Sequence, residues 1–149
     1  AGKEIAVRNG EKLVEVVAKI GTALGLNVIK QYQVSRRIWG AKRKIDVVLF
    51  QRETRKTLGI ECKYQGTSGT AEEKLPATIQ DILSWPIPGL LVFHGNGFTE
   101  NIKSYITSTG KAVELTDLEP WLRLFFGIDI EKGSEIVKIE EDKIIINLK

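Results

Sequence analysis

The sequence predicts a mixed α/β fold in which a central sheet of mixed strand direction carries helices on both faces. Three observations point there. Segments of helical and of strand periodicity alternate along the chain; the run GLLVFHG is apolar almost throughout, as expected of a strand covered on both faces; and 149 residues, 42% of them apolar, suffice for one real core. A single domain over residues 1–149 is expected, with no repeat, low-complexity tract or convincing linker.

The elements follow in order. Asn9 precedes a pattern in which Leu13, Val17, Ile20 and Leu24 fall on one side at three- and four-residue spacing, with Gly25 as a stop, which predicts a helix over 10–24. Leu26 to Val34 reads as a strand. SRRIWGAKRK reads as a basic loop or strand end turning at Gly40, and Ile45 to Gln51 and Thr57 to Tyr64 as strands joined by a hairpin loop, RETRK. After the flexible GTSGT, EEKLPATIQDILSW sets Leu75, Ile79, Ile82 and Leu83 at helical spacing, and Pro76 fits because it lies in the first turn. Glu72, Glu73 and Lys74 suit that helix start and are read as structural. PIPG ends the helix. GLLVFHG is the next strand, FTENIKSYITSTG a helix closed by Gly110, and KAVEL a further strand. Thr116 and Glu119 fit a capping box opening the helix LEPWLRLFFG, and EIVKIEEDKIIINL reads as a C-terminal hairpin. The order is αβββαβαβα plus a hairpin.

Composition narrows the chemistry. No segment approaches the ~18 to 20 apolar residues of a spanning helix, and the N-terminal AGKEIAVRNG lacks the apolar core of a signal peptide, so a soluble, cytoplasmic chain with no membrane partner is expected. With one cysteine, Cys62, and one histidine, His94, an internal disulfide and a Cys- or His-built zinc site are excluded; any metal must be held by oxygen. His94 reads as a polar residue at a sheet edge. The net charge is only +3, with a pI near 9.0. Its distribution says more: no acidic residue occurs between Glu15 and Asp46, while Lys19, Lys30, Arg36, Arg37, Lys42, Arg43 and Lys44 are basic. Such a one-signed stretch attracts a polyanion.

The stretch KIDVVLFQRETRKTLGIECKYQ carries the chemistry. Alternation along a strand puts Glu61, Lys63 and Gln65 on one face and Ile60, Cys62 and Tyr64 on the other. Pairing of the two strands through RETRK can bring Asp46 beside Glu61. Two carboxylates held together repel, and a proton or a hard cation relieves them. A lysine beside them can hold or deprotonate a water that the metal has acidified.

KIDVVLF followed by GIECKYQ resembles the PD-(D/E)XK nuclease superfamily, the restriction-endonuclease-like fold, whose core order is αβββαβ and whose signature is Asp, a gap, then Glu-x-Lys. Asp46, Glu61 and Lys63 match it position by position, with Ile45 in place of the variable proline, and residues 10–94 follow the core order. The resemblance implies a metal, Mg2+ with Mn2+ as a substitute, bound by Asp46, Glu61 and the Cys62 backbone carbonyl. It also implies a carboxylate from the first helix, Glu11 or Glu15, with Glu11 favoured because it lies nearer the helix start. Lys63 would position or activate the attacking water. The implied activity is hydrolysis of phosphodiester bonds in double-stranded DNA by a site-specific endonuclease of homing or restriction type. A Holliday junction resolvase is the alternative, and a non-catalytic DNA-binding or assembly protein is the alternative of another class. Arg36, Arg37, Lys42, Arg43 and Lys44 are placed to grip or read DNA, and Gln65, continuing the Glu61/Lys63 face, to touch water, phosphate or base. Because one active site cuts one strand, a homo-oligomer, dimer or tetramer, is expected. Its candidate surface is the helix of Trp121, Phe125 and Phe126 together with the hairpin of Ile144, Ile145 and Ile146.

Overall fold

The computed structural model describes residues 3–5, 7–36, 42–67, 69, 71–140 and 143–147. Among the predicted features, Arg37 and the Gly40 turn lie outside these residues, as do the side chains of Arg36, Lys42 and Glu72.

Strand β1 (Lys3–Ile5) comes first and was not foreseen. Helix α1 (Gly10–Ala23) then starts where Asn9 accepts a hydrogen bond from the Lys12 amide at 2.8 Å, and buries Leu13, Val17 and Ile20 completely. Strands β2 (Asn27–Arg36), β3 (Lys42–Phe50) and β4 (Thr57–Tyr64) form an antiparallel meander. The basic segment read as a loop or strand end is strand over Ser35, Arg36 and Lys42–Lys44. A 3₁₀ turn, Ala71–Lys74, leads into α2 (Leu75–Leu83), with Pro76 in its first turn. Leu75, Ile79 and Ile82 are buried, but Leu83 is 56% exposed and leaves the predicted stripe. Strand β5 (Gly89–His94), α3 (Glu100–Ser108) and β6 (Ala112–Glu114) follow, β4, β5 and β6 being mutually parallel. The five strands run in the order β2-β3-β4-β5-β6.

Helix α4 (Leu118–Phe126) is preceded by a 3₁₀ turn, and the expected capping box is absent: its start carries no side-chain cap. Glu119 is instead fully buried. Its carboxylate accepts six hydrogen bonds, two from Arg123, one from Ser134 and one each from the amides of Glu135, Ile136 and Val137. That fastens α4 to the start of β7 (Val137–Glu140), which pairs with β8 (Lys143–Ile146). The predicted hairpin is thus two strands of a second sheet, β1-β8-β7.

One core layer lies between the large sheet, α1, α4 and the small sheet; the other lies under α2 and α3. Leu118, Leu122, Phe126, Ile144 and Ile146 are buried in the first layer, with Trp121 and Phe125 stacked 5.4 Å apart against it. Of the residues expected at a subunit contact, Phe126, Ile144 and Ile146 are buried within this chain, while Trp121, Phe125 and Ile145 are half-buried.

Candidate active site

The site forms where β3 and β4 separate. Their ladder runs from Phe50 opposite Thr57 to Val47 opposite Ile60, and Asp46 and Glu61 are the next residues outward. There a carboxylate replaces a backbone partner: Asp46 Oδ2 accepts from the Cys62 amide at 2.9 Å. The strand also rotates at this point. Val47 packs on the α1 side and Ile45 on the α2 side, although residues two apart in a regular strand share a face. Across the ladder, between the pairs Lys30/Val47 and Tyr32/Ile45, Gln31 takes the left-handed backbone (φ 54). Left-handed residues other than glycine are uncommon and concentrate at functional sites. This one accompanies the turn-over that aims Asp46 into the gap.

Glu61 faces the same gap. Burial, the hydrogen bond with the Asp46 carboxyl and the Asp46 charge push its pKa up to about 9, with Asp81 of α2 adding to the rise and Lys63 opposing it. Glu61 therefore favours its protonated form beside Asp46. Lys63 and Lys44 line an open cleft of about 800 Å3 with Asp46, Glu61 and Cys62, and Glu11, Glu15, Lys19, Lys30 and Gln31 form its other walls. The Cys62 thiol is buried and pushed up by that burial, then by Asp46 and Glu61, so it stays protonated; Cys62 serves through its backbone.

Of the two first-helix acids, Glu15 sits between Lys12 and Lys19, each 3.2 Å away, and its pKa is lowered chiefly by the Lys19 hydrogen bond. Glu11 is exposed in the first turn and shares the cleft wall. Neither completes a ligand set by itself, for among the described residues no three Asp, Glu, His or Cys side chains lie close enough to hold one ion. The donor chemistry of the pair still fits a hard divalent cation. Asp46 and Glu61 offer carboxylate oxygens, and the charge repulsion that helps raise Glu61 is what a cation would relieve.

Two residues expected to contact DNA are engaged within the chain. Arg43 turns to the α2 side, with Nη2 3.1 Å from Asp81 Oδ1 and Nη1 donating to Ser84 Oγ, so it ties β3 to α2. Gln65 lies beyond the end of β4 and is 6% exposed, donating from Nε2 to the Gly97 carbonyl at 2.8 Å. The Gly97 amide returns a bond to the Gln65 carbonyl. The approach is so close that a Cβ on Gly95 would lie 2.2 Å from the Gln65 oxygen, and Gly95 has φ 120. Gln65 holds this loop pair rather than facing solvent. Lys44 is exposed at the cleft, as a DNA contact requires.

Sequence reasoning placed Lys30 in the basic stretch without assigning it to the site and missed Gln31, whose signal is its place between the pairs Lys30/Val47 and Tyr32/Ile45. It also missed that His94 Nδ1 lies 2.5 Å from Glu114 Oε1 at the adjoining ends of β5 and β6.

A mixed sheet flanked by helices, with an Asp, a Glu and a Lys gathered where its antiparallel strands part, defines a restriction-endonuclease-like α/β fold. A family model described as the PD-(D/E)XK nuclease superfamily domain matches residues 4–125, and the chain belongs to that superfamily. The match continues past the 10–94 core through α3, β6 and most of α4. No curated protein matches the chain. Among solved structures, the protein VC1899 from Vibrio cholerae is similar in fold at 15% identity, with a TM-score of 0.52 over 84% of this chain and 35% of that one. The protein of unknown function AF1548 is 20% identical, with a TM-score of 0.48 over 69% of this chain and 56% of its own. The chain thus spans little more than half of one and about a third of the other. Nucleases of this superfamily usually use divalent metals. No helix among the described residues is long and apolar enough to cross a membrane.

Proposed function

We infer that the protein is a metal-dependent, site-specific endonuclease, of restriction or homing type, that hydrolyses phosphodiester bonds in double-stranded DNA. The observation that carries this reading is the adjacent, hydrogen-bonded Asp46–Glu61 carboxyl pair, lining one cleft together with Lys63, Lys30 and Lys44. Asp46, Glu61 and the Cys62 carbonyl would hold Mg2+, or Mn2+ in its place. When bound, the ion supplies Lewis-acid polarisation of the phosphate and a more acidic water. The chain's own residues do the rest. Lys63 Nζ donates hydrogen bonds to the phosphate oxygen and the attacking water, and Lys30 and Lys44 draw in the phosphate backbone. The Asp46 bond to the Cys62 amide fixes the carboxylate before substrate arrives. Glu11, across the cleft, is placed to accept a hydrogen bond from that water. In the reaction, water oxygen bonds to phosphorus and one P–O ester bond breaks, leaving a phosphate on one end and a hydroxyl on the other. Cutting both strands calls for two copies of the site, hence a homo-oligomer.

Purified protein incubated with a linear DNA library and Mg2+ should produce discrete fragments. With Ca2+ in place of Mg2+ the fragments should vanish, and Lys63→Ala should slow cleavage by about a hundredfold or more. A four-way junction run alongside separates a junction resolvase from a sequence-specific nuclease. Failure to cut linear or branched DNA with either Mg2+ or Mn2+ sinks the enzymatic reading and leaves a DNA-binding protein of the same fold.

A further inference from the structure

The β2–β3 hairpin reaches well beyond the strand that pairs with it on the other side. β3 pairs with β4 only over Val47–Phe50, whereas β2 and β3 stay paired from Asn27/Phe50 out to Arg36/Lys42. Past Asp46 the pair is therefore a two-stranded ribbon projecting from the active site.

The turn-over at Gln31 and Asp46 gives this ribbon two unlike faces. Tyr32, Val34 and Ile45 lie on the α2 side, against or beside the second core layer, and Arg43 bonds to α2 there. Gln33 and Lys44 are Cα partners and so share the other face, which Lys44 shows to be the cleft side. Both are exposed. Lys30 and Gln31 continue the same polar surface back to Asp46. A register shift between Gln33 and Ser35 marks a β-bulge, a feature that increases twist and re-aims side chains beside active sites.

We propose that the cleft-side face of the β2–β3 ribbon enters the major groove of duplex DNA and that Gln33 and Lys44 read base edges there. The inference rests on the nuclease reading for its substrate but concerns a different part of the molecule. Dimensions select the groove: two strands about 4.8 Å apart with their side chains fit the ~12 Å major groove and not the ~6 Å minor one. Residue chemistry selects the mode. A Gln amide pairs with adenine N6 and N7, and a Lys ammonium with guanine O6 and N7. Among its described residues the face carries no aromatic side chain on which the bases of a single strand could stack, Tyr32 lying on the other side. From Asp46 to Lys42 the ribbon extends four residues, ~13 Å, or about four base pairs from the scissile phosphate.

The test is selection of bound duplexes from a random 30-base-pair pool in Ca2+, for the wild-type protein, Gln33→Ala, Lys44→Ala and Tyr32→Ala. The expected result is a wild-type motif from which Gln33→Ala removes an adenine preference and Lys44→Ala a neighbouring guanine preference, each by about tenfold. Tyr32→Ala, on the opposite face, should keep the whole motif. Failure to bind duplex, absence of any motif, or a motif that survives both Gln33→Ala and Lys44→Ala overturns the proposal. Cleavage of the same pool in Mg2+ is scored separately. A motif erased by Gln33→Ala in a protein that cuts nothing would sink the nuclease reading while leaving the ribbon's role intact.

Discussion

At the scale of single residues, Glu61 and Asp46 make a measurable demand on pH. Glu61 has a folded-state pKa of about 9, well above the ~4.3 of an unfolded glutamate. A group raised in this way favours the fold in its protonated form. Its contribution is complete below the unfolded value and is lost as pH rises through about 9. Without metal, the melting temperature should therefore fall between pH 7 and pH 10. Asp46→Asn removes the neighbouring charge and should flatten that fall. Mg2+ should suppress it in the wild type, because the cation takes the place of the Glu61 proton, and binding should release a proton and tighten with pH. Thermal unfolding in EDTA and in Mg2+ reads all three effects; equal pH slopes for the wild type and Asp46→Asn would show that the pair is not coupled. The identity of these residues was legible in the sequence because D, E and K at that spacing recur in a known family. Their geometry was not. Counting by twos puts Ile45 and Val47 on one face, and only the left-handed Gln31 opposite Asp46 reveals that the strand turns over between them.

At the scale of elements, the same turn-over hid the ribbon: polar residues fall on both parities of 30–44, so no period of two survives for a reader of the sequence to find. Alternation was clear where one face is uniformly buried, as in β4, and failed where the strand leaves the core. Glu119 shows a related limit. Thr-x-x-Glu ahead of an apolar run has the pattern of a capping box, but the pattern cannot tell an exposed Glu from one buried beneath a later segment. Its carboxylate organises residues 134–137 around the start of β7, and without it the buried amides of Ile136 and Val137 and the Arg123 guanidinium would lose these bonds. Glu119→Ala should destabilise the fold by about 3–5 kcal/mol in urea unfolding. Burial raises the pKa of Glu119, but the amides of Glu135, Val137 and Ile136 together with Arg123 outweigh it and hold the group below its ordinary value. A lowered group stabilises above its unfolded pKa and loses that contribution as pH falls through the folded one. Acid unfolding should then separate wild type from Glu119→Gln, with the variant losing less stability below pH 4.5. Identical acid limbs would remove Glu119 as the latch.

At the scale of the whole molecule, helix order and the mixed sheet were legible because long periodic segments dominate the chain. Of the small sheet only the hairpin was, since β1 has three residues and its partner β8 lies at the far end of the sequence. The aromatic and isoleucine-rich segments read as an outer surface for a related reason: from sequence alone, apolar residues packed within their own chain, as Phe126, Ile144 and Ile146 are, look the same as ones awaiting a second subunit. What stays outward is charge. Lys30 is exposed on the cleft wall, on the side toward the core from the Gln33/Lys44 pair. A lysine there that touches phosphate contributes equally at every sequence, whereas one that reads a base does not. The two roles separate in salt. For each phosphate neutralised, the slope of log K against log salt changes by about 0.9 for duplex DNA. Lys30→Ala should therefore make the slope shallower by about 0.9 on preferred and random duplexes alike, with the preferred sequence unchanged. Anisotropy titrations between roughly 50 and 200 mM salt resolve a change of that size. A slope that stays put, or a preference that shifts with Lys30→Ala, would move the boundary between gripping and reading inward along β2, toward the catalytic pair.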